Sequence, residues 1–158
     1  MKGLRAAAAL AAVLVLAGCS ASSGPDTPPT TTVTVYAGGF ATSGKTTVAG
    51  YWKDGAWNGL ANPHGASYDA SVNAVLVSGS TVYAGGYALT SGGAADSGDW
   101  QNGSWVSLSV GNGGVVNALT ASSTDFYAAG YGISGKVNVP GYWKGTTWNP
   151  LDNSFGVG

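Results

Sequence analysis

The stretch VYAGGF at residues 35–40 returns as VYAGGY at 82–87 and as FYAAGY at 126–131. A second stretch follows each of these at a nearly constant distance, as GYWKDGAW, GDWQNGSW and GYWKGTTW beginning at residues 50, 98 and 141. Both stretches therefore recur with a period in the mid-forties. We predict one folded domain at residues 33–158, divided into three units at about 33–71, 72–115 and 116–158.

Each unit has the pattern of four short strands. In the second unit the first strand begins at VNAV (72–75), and TVYAGGYAL (81–89) alternates enough to be a half-buried second strand. A third strand lies around Trp100, and Asn102-Gly103 joins it to a fourth at 105–108, because Asn-Gly between apolar runs favours a tight hairpin turn. Four antiparallel strands repeated at this period are typical of a β-propeller blade.

Composition supports an all-β fold. The chain contains 27 Gly, and only 8% of its residues are charged, against about 25% in an average globular protein. It contains no Glu, and outside the first 18 residues Val, Thr, Ser, Gly, Tyr and Trp dominate. Such a composition favours strands joined by tight turns over helices.

The repeat resembles that of bacterial kelch-like β-propellers. The features that carry the resemblance are paired glycines ending the second strand, an aromatic residue six positions before a Trp, and a Leu shortly after that Trp: Gly38-Gly39 and Gly85-Gly86, Tyr51 with Trp57 and Tyr142 with Trp148, and Leu60, Leu108 and Leu151. The resemblance covers residues 33–155. It departs at Asp99, which stands where the other units have Tyr, at Ala129, which replaces the first Gly of its pair, and in lacking the usual kelch arginine. It implies a partial propeller of about three blades.

Three blades do not close a ring, since closed propellers have about four to eight. The first unit begins with the second-strand stretch at Val33, without a VNAV-type strand before it. We expect that the ring is completed by further blades of a longer gene product. Assembly of several chains into one ring and an open stack of blades are the alternatives.

The first 19 residues predict an exported, lipid-anchored protein. Lys2 and Arg5 precede an apolar run at 6–17, which is shorter than the roughly 20 residues of a membrane-spanning helix and typical of a signal-peptide helix. The run ends in Leu16-Ala17-Gly18-Cys19, which resembles the lipobox of bacterial lipoproteins. The resemblance implies cleavage after residue 18 and attachment of diacylglycerol, and often a further acyl chain such as palmitate, at Cys19.

Residues 19–32 are rich in Ser, Thr and Pro and predict an extended tether between the lipid and the domain. The expected location is the bacterial cell envelope: the outer membrane in a Gram-negative cell, otherwise the outer face of the plasma membrane. After removal of residues 1–18, four Lys oppose seven Asp, so nucleic acid is not an expected partner. We expect neither a cofactor nor a metal site.

Few side chains are candidates for chemistry. His64 is the single histidine and lies in a variable loop sequence, where we interpret it as solvated. Asp96 and Asp99 are close enough in sequence to form a carboxylate pair or contribute to a cation site, or simply to belong to a polar loop. Trp52, Trp100 and Trp143 recur at one position of each unit, which predicts packing between blades or, alternatively, an aromatic platform for a ligand.

These features favour a binding or interaction module of the cell envelope, with a glycan or an envelope protein as ligand, over an enzyme. The alternatives are a structural envelope protein or part of a larger propeller and, less favoured, a glycan lyase or hydrolase. Scarce His and Arg and the lack of Glu argue against catalysis.

Overall fold

The computed structural model describes residues 14–15 and 32–152. These residues contain strands and turns but no helix, so the predicted all-β class is confirmed. The twelve strands are β1 Leu14–Val15, β2 Val35–Ser43, β3 Thr46–Lys53, β4 Ala56–Gly59, β5 Ala70–Ser78, β6 Thr81–Leu89, β7 Ala95–Gln101, β8 Ser104–Ser107, β9 Gly114–Ala121, β10 Phe126–Ser134, β11 Val137–Lys144 and β12 Thr147–Pro150.

The strands form three antiparallel sheets, one for each repeat unit. Sheet 1 has the order β1-β2-β3-β4, sheet 2 the order β5-β6-β7-β8 and sheet 3 the order β9-β10-β11-β12. Strands that are neighbours within a sheet also follow each other along the chain, and residues 16–34 separate β1 from β2. Such a meander follows from short connections between successive strands.

The predicted tight turn at Asn102-Gly103 is confirmed, and its side chain explains how the turn is held. Both residues have positive φ, 48° and 89°, as a two-residue hairpin turn of this kind requires. Asn102 Oδ1 accepts a hydrogen bond of 2.9 Å from the Val82 backbone N–H at the start of β6. In sheet 1, Asp54 takes the same place and accepts from Val35 N–H at 2.9 Å. One turn side chain thus caps a neighbouring strand in both units.

The Asn of the VNAV and VNAL sequences marks a β-bulge. Val72 pairs with Gly86 and Ala74 with Gly85, so Asn73 is the extra residue of β5, and Asn117 has the same place in β9. The displaced Asn73 side chain reaches the next sheet, where its amide donates to the Val116 carbonyl at 2.9 Å. The bulge therefore links the first strands of sheets 2 and 3.

The three sheets pack in series, each against the next. We call the face of a sheet that carries Gly38, Gly85 or Ala129 its trailing face, and the face that carries Trp52, Trp100 or Trp143 its leading face. The trailing face of sheet 1 packs on the leading face of sheet 2 around Val72, Val75 and Trp100. The trailing face of sheet 2 packs in the same way on the leading face of sheet 3, around Val116, Leu119 and Trp143.

Two features of the predicted leader bear on sheet 1. Leu14 and Val15 pair with Tyr36 and Val35, the register in which Leu76 and Val77 pair with Tyr83 and Val82 in sheet 2. The sequence AVLV is the same at residues 12–15 and 74–77, which explains why these residues match the edge of β2. The predicted signal-peptide helix is thus wrong at Leu14 and Val15, which form a strand. The rest of that segment and residues 19–31 of the predicted tether, with Cys19, lie outside the described residues.

Candidate functional site

The tryptophan positions pack in pairs on the leading faces. Each partner lies directly opposite on the neighbouring strand, and the ring centroids are 4.4–4.5 Å apart: Trp52 with Trp57, Trp100 with Trp105 and Trp143 with Trp148. Trp100 is 1% exposed and Trp143 is 0% exposed, so these two rings offer no surface to a ligand and serve packing between sheets. Trp100 also donates from Nε1 to the Ala61 carbonyl at 2.8 Å. Trp52 is half-buried, because no described sheet lies against the leading face of sheet 1.

Asp96, a candidate from the sequence for a carboxylate pair or a cation site, lies on the leading face of sheet 2. Its Oδ2 accepts a hydrogen bond from His64 Nε2, 2.8 Å away, and its Oδ1 accepts hydrogen bonds from the hydroxyls of Ser107 and Ser109. Burial alone would raise the pKa of Asp96, but the hydrogen bonds from Ser109, Ser107 and His64 outweigh it and hold the pKa below its ordinary value. The carboxylate is thus ionised and saturated with partners.

This cluster joins two repeat units. His64 belongs to the connection between β4 and β5, and Asp96 to β7, so their contact fastens that connection to sheet 2. Asn62 adds to the joint, because its amide donates to the carbonyls of Tyr68, Asp69 and Leu89. The interpretation of His64 as solvated is therefore incomplete, since its ring is partly exposed but pairs with Asp96. No short-range sequence signal joins residues 64 and 96, which explains why this pair was missed.

Asp99 does not join Asp96 in a site. Their side chains point to opposite faces of β7, and Asp99 is fully buried between sheets 2 and 3, opposite Gly85. Neither carboxylate oxygen has a hydrogen-bond partner among the described residues. Burial raises the pKa of Asp99 to about 6, although the Gln101 side chain acts in the opposite direction. The structure therefore does not bring the two carboxylates together, and both lie in strand β7 and not in a loop. Residues an odd number of positions apart on a strand face opposite sides of the sheet.

A groove open to solvent lies on the trailing face of sheet 3. Its volume is about 300 Å³, and it is lined by Ala118, Leu119, Thr120, Tyr127, Ala128, Ala129 and Tyr142. Tyr142 is 37% exposed, and Ala129 is exposed as well. We call this surface the trailing groove. Ala129 and Tyr142 are recognisable in the sequence as repeat positions, but no sequence pattern indicates that they form a surface.

A smaller cavity of about 190 Å³ lies beside the β4–β5 connection, lined in part by Leu60, Asn62 and Tyr68. Its walls include the apolar residues that seal sheet 1 against sheet 2, so it belongs to that joint. The described part of the chain holds no cluster of three or more His, Cys, Asp or Glu residues able to bind a metal ion. Nor does any helix in residues 14–15 and 32–152 have the length and apolar character to cross a membrane.

Fold and surface together define an all-β repeat protein of three antiparallel sheets packed in series, with an apolar groove on its last sheet. No family model, curated protein or solved structure matches the chain.

Proposed function

We propose that this chain is an interaction module of the bacterial cell envelope, anchored through lipid on Cys19, which binds a protein partner through the trailing groove. The observation that carries the proposal is the exposure of Ala129 and Tyr142. The corresponding positions of sheets 1 and 2, Gly38 and Gly85, are covered by the sheet that follows. An apolar face that is buried twice in one molecule and accessible once is typical of a surface that has a partner.

The lining of the groove favours a protein over a glycan. Sugar sites combine a ring for stacking with several converging hydrogen-bonding groups. Here Thr120 and the two tyrosines are the polar side chains of the lining, and Ala118 and Ala129 supply the apolar ones, because the side chain of Leu119 faces sheet 2. A partner that presents branched apolar side chains would match this surface better than a polyhydroxylated one.

The arrangement of the sheets supports a propeller as the setting of this module. Three units of equal strand order pack face to face in chain order, with the first strand of sheet 2 linked to that of sheet 3 through Asn73. Consecutive blades of a propeller have this relation. Lyase or hydrolase chemistry is less favoured, because Asp96 is occupied by two serines and a histidine within a joint between sheets.

Lipid anchoring is tested by replacing the acceptor thiol. Cells that express the full chain would be labelled with an alkyne-bearing palmitate analogue, and the membrane and soluble fractions compared with those of Cys19→Ala. We expect label and membrane retention in the unmodified chain and the loss of both in the variant. Equal labelling of the variant would contradict the anchor.

Binding through the groove is tested in the same cells with a photo-crosslinking amino acid. We expect crosslinks when it replaces Tyr142, and none when it replaces Thr146, which is exposed in the β11–β12 turn of the same sheet. Absence of crosslinks from position 142 in an anchored, folded protein would contradict the proposed function while leaving the anchor intact.

A further inference from the structure

The two interfaces between sheets inside the chain are built in one way. A Cβ added to Gly38 would lie 2.6 Å from Val72 Cγ1 and 2.8 Å from Val75 Cγ2. A Cβ added to Gly85 would lie 2.8 Å both from Val116 Cγ1 and from Leu119 Cδ2. Each trailing face thus has a recess at its glycine, which the following sheet fills with branched side chains.

The aromatic contacts of these interfaces also recur. Tyr83 on the trailing face of sheet 2 stacks on Phe126 at the start of β10, with ring centroids 4.8 Å apart. Between sheets 1 and 2, Tyr36 and Val82, which holds the place of Phe126 in its unit, both pack against the same buried cluster. The trailing tyrosine of one unit and the first residue of the second-strand stretch in the next unit therefore belong to the same interface in both cases.

One half of this interface is present but uncovered at each end of the stack. At sheet 3 the trailing groove offers Tyr127 and Tyr142 beside Ala129, and no described sheet packs over them. The Nζ atom of Lys144 lies 5.8 Å from the centroid of the Tyr127 ring. At sheet 1 the leading face offers Trp52, half-buried where Trp100 and Trp143 are fully buried. Val35, the counterpart of Val82 and Phe126, is 40% exposed there. The described residues of one molecule thus carry parts of both sides of this interface at opposite ends of the stack. They differ from the internal interfaces in that Ala129 occupies the glycine position and that sheet 1 has no described counterparts of Val72 and Val75.

We infer that the trailing groove of one chain binds the leading face of sheet 1 of a second copy, head to tail. This rests on the proposed function and names its partner. The contact is heterologous, because two different surfaces meet, so it either closes into a ring or continues into a filament. Two chains would place six sheets in series, which lies within the range of closed propellers of about four to eight blades.

The contact predicts which residues become neighbours. By the internal equivalence, Tyr127 of one copy would lie against Val35 of the other, as Tyr83 lies against Phe126. Two single variants, Tyr127→Cys and Val35→Cys, would be purified as full-length protein in detergent and treated with a short bis-maleimide. We expect crosslinked pairs in the mixture of the two variants, and at least tenfold less product in either variant alone. Crosslinks within one variant would instead indicate a symmetric contact and overturn the inference.

The mass of the native particle supplies the second test. We expect the unmodified chain to contain more than one copy, Ala129→Arg to contain one, and the control Thr146→Arg to behave like the unmodified chain. A single-copy particle of the unmodified chain would overturn the inference, as would assembly of Ala129→Arg. If the single-copy particle still crosslinks to another envelope protein from position 142, the proposed function stands and only the second copy is excluded. If the unmodified chain reacts with the maleimide at Cys19, that thiol carries no lipid, and the proposed anchor is contradicted.

Discussion

Asp99 departs from the repeat pattern, and burying its carboxyl costs free energy. Units 1 and 3 have Tyr51 and Tyr142 at this position, while Asp99 places a carboxyl without hydrogen-bond partners between two sheets. Its pKa of about 6 lies above the ordinary 3.8, so the folded protein holds a proton that the unfolded chain releases. Stability that is present at low pH is therefore lost as the pH rises from about 4 through 6. Above that range the ionised Asp99 lowers the free energy of unfolding by about 3 kcal/mol.

The Asp99→Asn variant tests this account. Asparagine does not ionise, so we expect the fall in unfolding free energy between pH 4 and 6 to disappear. Stability at pH 7 should rise by about 1–2 kcal/mol, less than the full penalty, because a buried amide without partners also costs free energy. The control is Asp125→Asn, which removes a half-buried carboxylate that pairs with Lys144 at 3.3 Å. Urea unfolding at several pH values measures both variants, and an unchanged pH slope in Asp99→Asn would contradict the assignment.

Gly85 and Ala129 hold the same repeat position in two environments. In Gly85→Ala the new methyl group meets Val116 and Leu119 at less than contact distance, so we expect a loss of about 1–3 kcal/mol in unfolding free energy. Ala129→Gly is the matched control, because nothing described packs over it. It should cost no more than about 1 kcal/mol, the ordinary effect of Gly in a strand. Similar losses in the two variants would mean that the recess at Gly85 is not tightly filled.

At the scale of elements, the connection between β4 and β5 depends on a joint with sheet 2. Asp96 holds His64 and two serines, and its lowered pKa means that the joint contributes stability above the ordinary carboxyl range and loses it as the pH falls. This direction is opposite to that of Asp99. In Asp96→Ala we expect unfolding free energy to fall by about 2–3 kcal/mol at pH 7, as three donors lose their acceptor.

Hydrogen exchange locates the effect of Asp96→Ala. Amide protons of residues 60–69 should exchange faster than in the unmodified protein, while those of sheet 3 should not change. Ser109→Ala, which removes one of the three donors, should give a smaller effect in the same residues. Uniform acceleration across all three sheets would show that the joint does not act locally.

The elements were largely predictable from sequence, whereas their contacts were not. Recurring Tyr and Trp positions and the Asn102-Gly103 turn indicate strands because they follow local rules of alternation and turn geometry. The His64–Asp96 pair joins residues from different units, which no local pattern connects. Alternation along β7 predicts which face of the sheet carries Asp99, but it does not indicate which residues pack against that face. The trailing groove depends on which sheet lacks a neighbour, a property of the packed molecule and of no local stretch. The lipid on Cys19 stays a prediction.

For the whole molecule, packing in series gives the three sheets different surroundings. Sheet 2 is covered on both faces, whereas sheets 1 and 3 are each covered by described residues on one. In repeat stacks, stability is roughly the sum of the units and of their contacts with neighbours. In the single-copy variant Ala129→Arg we therefore expect the amide protons of β6 and β7 to be the most strongly protected from hydrogen exchange. Those of β2–β3 and β10–β11 should be less protected.

Head-to-tail assembly would remove that difference, since every sheet would then have a neighbour on both faces. In the assembled protein we expect protection of β2–β3 and β10–β11 to rise towards that of β6 and β7, and to fall again on dilution below the concentration at which copies dissociate. Exchange measured over a range of concentrations, with Thr146→Arg as the control, would follow this change. If the outer sheets were equally protected in Ala129→Arg and in the unmodified chain, contacts between copies would contribute nothing to the folded stack.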